Sequence, residues 1–139
     1  MIARAYRIYD KTSKQMLYPE QLMRMGVFLD PKGQAVQVKK SWLGAVIKVL
    51  KNIVVMYQTG LATNTGEPIW EGDILDVDVP NEWGSCTVAR GYMQWDSHNG
   101  KWYIHIPNPP ATVPNGNSIA ITGAMMVGDI YQSPELLKV

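Results

Sequence analysis

The sequence predicts a mainly β protein built around a small barrel. Three observations carry this. Short runs rich in Val, Ile, Tyr and Trp recur with turn signals about every ten residues. Asn99-Gly100 sits between two such runs, and both residues tolerate the positive φ of a tight hairpin. No alternation of strand and helix patterns appears, and no internal repeat.

Ala5 to Tyr9 and Gln15 to Tyr18 read as the arms of a first hairpin, closed by the polar stretch Asp10 to Lys14. Leu22 and Met25 allow one helical turn in Glu20 to Met25. Gly26 to Leu29 and Gln34 to Val38 flank Asp30-Pro31-Lys32-Gly33, a turn preset by its proline. Leu43, Val46, Ile47 and Leu50 fall at helical spacing, so Ser41 to Leu50 is expected as a short helix with Ser41 as its N-cap. Ile53 to Gln58 is a strand, and Thr59 to Pro68 a polar loop. Ile69 to Val79 is a strand interrupted at Glu71-Gly72-Asp73, and Asn81 to Gly84 is a turn. Thr87 to Trp95 and Lys101 to Ile106 are the arms of the Asn99-Gly100 hairpin. Pro107 to Asn117 holds four of the nine prolines and reads as a long surface loop. Ile119 to Ile121 and Met125 to Tyr131 are apolar strands, and Ser133-Pro134-Glu135 opens a last helical turn. The count is about eight strands and one or two short helices.

At 139 residues the chain is long enough to bury a core without metals or disulfides. A compositional seam near Asn52 divides it into a β-rich portion at 1–52, with most of the basic residues, and a barrel portion at 53–139, with most of the glycines and prolines. The single cysteine, Cys86, forms no internal disulfide, which fits a reducing compartment. No apolar run is long enough to span a bilayer, and the first residues do not form a signal peptide. A soluble cytoplasmic protein is expected, with no membrane partner. The formal charge of +1 gives no overall field toward a polyanion.

Each candidate for chemistry has a plainer competitor. Glu71 and Asp73 could hold a divalent cation or act as acid and base. The competing reading is a kink at Gly72, with Asp73 bonding nearby backbone while Ile69 and Ile74 enter the core. Gly60 to Gly66 lacks the lysine and helix of a phosphate loop. His98 and His105 could face each other across the predicted hairpin, but no cysteine or acid joins them as a metal site. Cys86 has no neighbour in sequence that marks it as a nucleophile. No cofactor loop is present, so neither cofactor nor catalytic constellation is expected. Arg90, Trp95, Lys101 and Trp102 interleave rings and cations as a single-strand-binding barrel face would. Cross-strand packing is the competing reading.

Three blocks carry a family resemblance. They are Tyr6-Arg7-Ile8-Tyr9-Asp10, the stretch from Gln58 through Gly60, Leu61, Gly66, Ile69, Glu71, Gly72 and Asp73 to Leu75, and the run Val127-Gly128-Asp129-Ile130-Tyr131-Gln132-Ser133-Pro134-Glu135-Leu136-Leu137. Together they resemble the YopX family, small phage and prophage proteins unrelated to the secreted effectors of similar name. The resemblance implies an SH3-like β-barrel and a phage or prophage origin, and it supplies no catalytic residue. Its matched positions, including Gly128 and Ile130, are glycines and core aliphatics, which specify a fold rather than a reaction.

The functional expectation is a non-enzymatic protein-interaction or self-assembly module. Its partner would be a host or phage protein, or a second copy. A nucleic-acid-binding barrel is the alternative, and a metal-dependent enzyme using Glu71 and Asp73 a more distant one.

Overall fold

A computed structural model describes residues 5–63, 65–80, 83–107, 110–114 and 124–137. The chain is mainly β, as the spacing of strand and turn signals predicts, and it divides into two compact units, Met1–Tyr57 and Gln58–Val139.

In the first unit, β1 (Tyr6–Asp10) pairs antiparallel with β2 (Gln15–Leu17) and with the opening half of β6 (Ile53–Ala62). Asp10 holds the β1–β2 turn by accepting from the Thr12 amide and the Ser13 hydroxyl. The helix α1 (Pro19–Arg24) has Pro19 in its first turn, where a missing N–H costs nothing. Gln21 accepts from the Tyr18 amide at 3.0 Å, and Leu22 is the residue α1 buries. A second sheet runs β3 (Val27–Leu29), β4 (Ala35–Ser41), β5 (Gly44–Val49). Ile8, Leu22, Val27 and Ala35 form the core of this unit, with Tyr6, Leu17, Leu29, Leu50, Ile53 and Val55 packed against them.

The helix expected over Ser41 to Leu50 is not formed. Ser41 ends β4, Trp42 and Leu43 make a turn, and Gly44 opens β5. The Ser41 hydroxyl, expected to cap a helix, instead accepts from the Leu43 amide and donates to the Gly44 carbonyl. Val46, Ile47 and Val49 are β-branched or flank β-branched residues, and the pairing of Val36 with Val49 and Val38 with Ile47 overrides the helical spacing.

In the second unit, β6 runs on to Ala62, past the Gln58 at which a loop was expected to follow. A bulge between Gln58 and Ala62 lets it continue, with the Thr59 hydroxyl donating to the Ile69 carbonyl at 2.7 Å. It pairs with β7 (Pro68–Trp70). A five-stranded sheet curls as a half-barrel in the order β11 (Pro110–Pro114), β10 (Lys101–Pro107), β9 (Cys86–Asp96), β8 (Asp73–Pro80), β12 (Met125–Asp129). A 3-10 turn, Pro134–Leu137, follows where Ser133-Pro134-Glu135 predicted a helical start.

Part of the proline-rich stretch expected as loop is thus strand β11. It lies at the sheet's end, where prolines that cannot donate to a further strand are tolerated. Twelve strands are found among the described residues, against about eight expected: Ser41 to Leu50 supplies β5, this edge is β11, and the single strand expected over Ile69 to Val79 divides into β7 and β8. The strand expected at 119–121 and the first half of the turn expected at 81–84 lie outside the described residues.

Candidate interaction surface

The Glu71-Gly72-Asp73 segment is a tight turn from β7 into β8. Gly72 has φ +85°, which side chains rarely adopt. Its amide donates to the Met93 carbonyl at 2.8 Å, and its carbonyl accepts from the Ile130 amide at 2.9 Å. Asp73 is buried and accepts from the Trp70 amide at 2.8 Å. It stands directly opposite Asp129 in the β8–β12 pairing. Asp129 is buried too; its carboxylate accepts from the amides of Tyr131 and Gln132. One oxygen of each carboxylate is thus engaged by backbone amides. Burial raises the Tyr131 phenol above its ordinary value near 10.0, and Glu71, Asp129 and Tyr92 add to the shift. Among the described residues no three His, Cys, Asp or Glu side chains gather to hold a metal.

The remaining motif residues are distributed around this turn. Ile69 is fully buried, Gly60 lies at the β6 bulge next to half-buried Leu61, and Gly66 lies in the turn toward β7. Gly128 sits where β12 bulges; a Cβ there would come within 3.0 Å of Leu136 and 3.1 Å of Ser133. The segment 130–137 packs over that glycine.

Strand parity separates the four residues proposed for nucleic acid. Arg90 faces Asp76 across β8–β9, Lys101 faces Asp96, and Trp102 faces Trp95. Residues directly opposite share a face, and alternate residues along a strand change face. Arg90 and Lys101 therefore lie on one side of the sheet, while Trp95 and Trp102 lie on the other. Trp102 is buried against Trp95, with ring centroids 5.0 Å apart at an edge-on angle. Arg90 binds Asp76 through two nitrogens, at 2.7 and 3.1 Å, and donates to the Leu136 carbonyl. These rings and cations do not share one face of the sheet: Trp102 is buried, Trp95 is half-buried, and Arg90 reaches the Leu136 carbonyl.

The two histidines are not brought together. His98 is exposed in the turn, whereas His105 on β10 pairs with Tyr92, ring centroids 5.3 Å apart. Cys86 opens β9 opposite Pro80. Gly91 was missed: a Cβ there would fall 2.5 Å from the His105 carbonyl oxygen, so the sheet's inner face has no room for a side chain. A glycine between Arg90 and Tyr92 inside a strand-like run was the available signal.

The β4–β5 hairpin carries a run of exposed apolar side chains; Met23, Trp83, Val88 and Met125 are exposed elsewhere. Trp42 at its tip is 92% exposed, and Val46 and Ile47 on β5 are 62% and 68% exposed. Leu43 and Val49 are exposed as well. β5 ends its sheet, so among the described residues no further strand pairs with its outer edge. Val46 shares a face with Lys39 and Lys48; Ile47 shares the other with Val38. No acidic residue occurs between Asp30 and Glu67. The near-zero net charge conceals a strong division. Residues 1–57 hold ten Lys and Arg against three Asp and Glu, while residues 58–139 hold three against nine.

A family model described as YopX protein matches residues 5–138. The chain belongs to the YopX family. Among solved structures, protein EF1440 from Enterococcus faecalis is similar at a TM-score of 0.61 and 21% identity, over 99% of this chain and 100% of that one. The YopX protein of Bacillus subtilis is similar at a TM-score of 0.58 and 19% identity, over 96% and 98% of the two chains. At such identities the likeness shows a shared fold. No curated protein matches. Among the described residues of this YopX-family chain, no helix is long and apolar enough to cross a membrane.

Proposed function

We propose that this YopX-family chain is a non-enzymatic interaction module of a phage or prophage, acting in the host cytoplasm. Its contact surface is the β4–β5 arm. The observation that carries this reading is the arm itself: Trp42 and Leu43 in the turn and Val46 and Ile47 on β5 stand in solvent, and among the described residues no strand pairs with the outer edge of β5. Covering one such side chain is worth about 1.5 to 3 kcal/mol, so a partner that seats on several gains a substantial driving force. Open edges add main-chain hydrogen bonds and a defined register. Buried Asp73 and Asp129, each accepting from backbone amides, fit the same reading.

Capture from nuclease-treated host extract tests this, with wild type beside the Trp42→Ser/Ile47→Ser double variant. The reading expects a partner retained by wild type and lost by the variant. Equal retention by both would remove the arm from the function.

One observation favours a second reading. The excess of cations in residues 1–57 is the footprint of a polyanion-binding surface, and a two-stranded ribbon fits a major groove. The cations would be Lys39, Lys40 and Lys48, not Arg90 and Lys101. Salt-sensitive binding of duplex DNA that is lost in a Lys39→Glu/Lys48→Glu variant would establish it.

A further inference from the structure

We propose that the partner of the β4–β5 arm is a second copy of this chain, and that the arm docks on the outer face of that copy's half-barrel sheet. The inference rests on the arm being the contact surface and names its occupant.

Three observations converge. The first is charge. An arm without acids projects from a unit with ten cations and three anions, and the other unit has nine anions and three cations. Two copies set arm to sheet bring opposite charges together, whereas arm to arm sets lysines against lysines.

The second is a receiving patch of matching chemistry. Asp78 stands opposite Val88, and Asp76 opposite Met125, all on the face of the sheet that carries Arg90. Val88 is 70% exposed and Met125 66% exposed. Asp76 is already gripped by Arg90, so Asp78 is the carboxylate that answers an incoming lysine. On the arm, Val46 lies between Lys39 and Lys48 on one face. An aliphatic flanked by cations thus meets exposed Val88 and Met125, with Asp78 beside Val88 and the Asp76–Arg90 pair next to it.

The third is edge geometry. Among the described residues β5 ends its sheet and β12 ends the half-barrel, so each half of the contact lies beside a strand edge that no described strand pairs. The two halves are different surfaces, so where each copy gives its arm to one neighbour and its patch to another the contact is heterologous. Such a contact leaves a free arm at one end and a free patch at the other, and it propagates into a ring or a filament.

The test uses the full-length chain in sedimentation velocity. Wild type is expected as assemblies whose mass grows with concentration and falls toward monomer with added salt. Lys39→Glu/Lys48→Glu removes the arm, and Asp78→Asn/Val88→Ser removes the patch without adding a cation; each alone is expected as a monomer, with an unfolding midpoint like wild type. Mixed, the Asp78→Asn/Val88→Ser copy still has an arm and the Lys39→Glu/Lys48→Glu copy still has a patch, so they form a one-to-one dimer that grows no further. A mixture that stays monomeric overturns the proposal, as does a wild type that is monomeric at all concentrations. A monomer whose arm shifts a duplex DNA fragment also overturns it, in favour of the polyanion reading. Its failure is distinguishable from failure of the functional reading: a monomeric wild type that still captures a host protein through Trp42 and Ile47 loses the second copy as partner but keeps the arm.

Discussion

Asp76 and Arg90 face each other across β8 and β9, and the carboxylate grips the guanidinium at 2.7 and 3.1 Å. The same guanidinium reaches the Leu136 carbonyl at 3.3 Å, so one cation joins the sheet to the 3-10 turn. Arg90→Ala is therefore expected to speed amide exchange at Leu136 and Ile130 while leaving that of Met93 and Ile104 unchanged. Exchange unchanged at Leu136 would show that the contact does not hold the chain end. Arg90→Ala should also leave nucleic-acid binding, where any exists, as it was.

Gly72 and Gly91 specify the fold by what they lack. Gly72→Val must force a β-branched residue to φ +85° while keeping both backbone bonds to Met93 and Ile130. It is expected to cost about 1 kcal/mol or more. Gly91→Ala places a methyl within 2.5 Å of a carbonyl oxygen and within 2.8 Å of Ile104, and overpacking of that kind costs about 1 to 3 kcal/mol. Denaturant unfolding measures both. Midpoints equal to wild type would mean that either glycine is incidental.

The Tyr131 phenol supplies a pH test. Burial and then the Glu71 carboxylate disfavour its anion, so its folded value lies above its unfolded one. A raised value means that the folded state holds the proton more tightly. The stabilisation is complete below the unfolded phenol value, near 10.0, and is lost as pH rises through the higher folded value. Glu71→Gln should move the Tyr131 titration down toward its ordinary position. Near-ultraviolet absorbance, with Tyr131→Phe to assign the signal, follows it. A titration indifferent to Glu71→Gln would leave burial, with Asp129 and Tyr92, as the cause.

Where the signal was local, the sequence was readable. Asp30-Pro31-Lys32-Gly33 and Asp96 to Gly100 close hairpins because their own side chains and dihedrals suffice: Asp30 and Asp96 each accept from the amides that follow. The strained turn at Gly72 was readable for the same reason. The β4–β5 arm was not. Its spacing of Leu43, Val46, Ile47 and Leu50 suits a helix, and no burial forces alternation on an exposed strand; only pairing across the hairpin with Val36 and Val38 decides it. The separation of Arg90 and Lys101 from Trp95 and Trp102 was readable in principle. Arg90 and Trp95 differ by an odd number of positions along one strand, which places them on opposite faces. The charge division was also in the sequence, hidden by a net charge that sums two opposite halves.

The central claim is that the arm is an open contact surface that a partner covers. Hydroxyl-radical footprinting read by mass spectrometry tests it most directly, comparing the dilute chain with the chain in its complex. The account predicts heavy labelling of Trp42, Leu43 and Ile47 in the dilute chain, their protection on association, and no change at buried Trp102. Trp42 protected in the dilute chain as fully as Trp102, or labelled equally in both states, would contradict it.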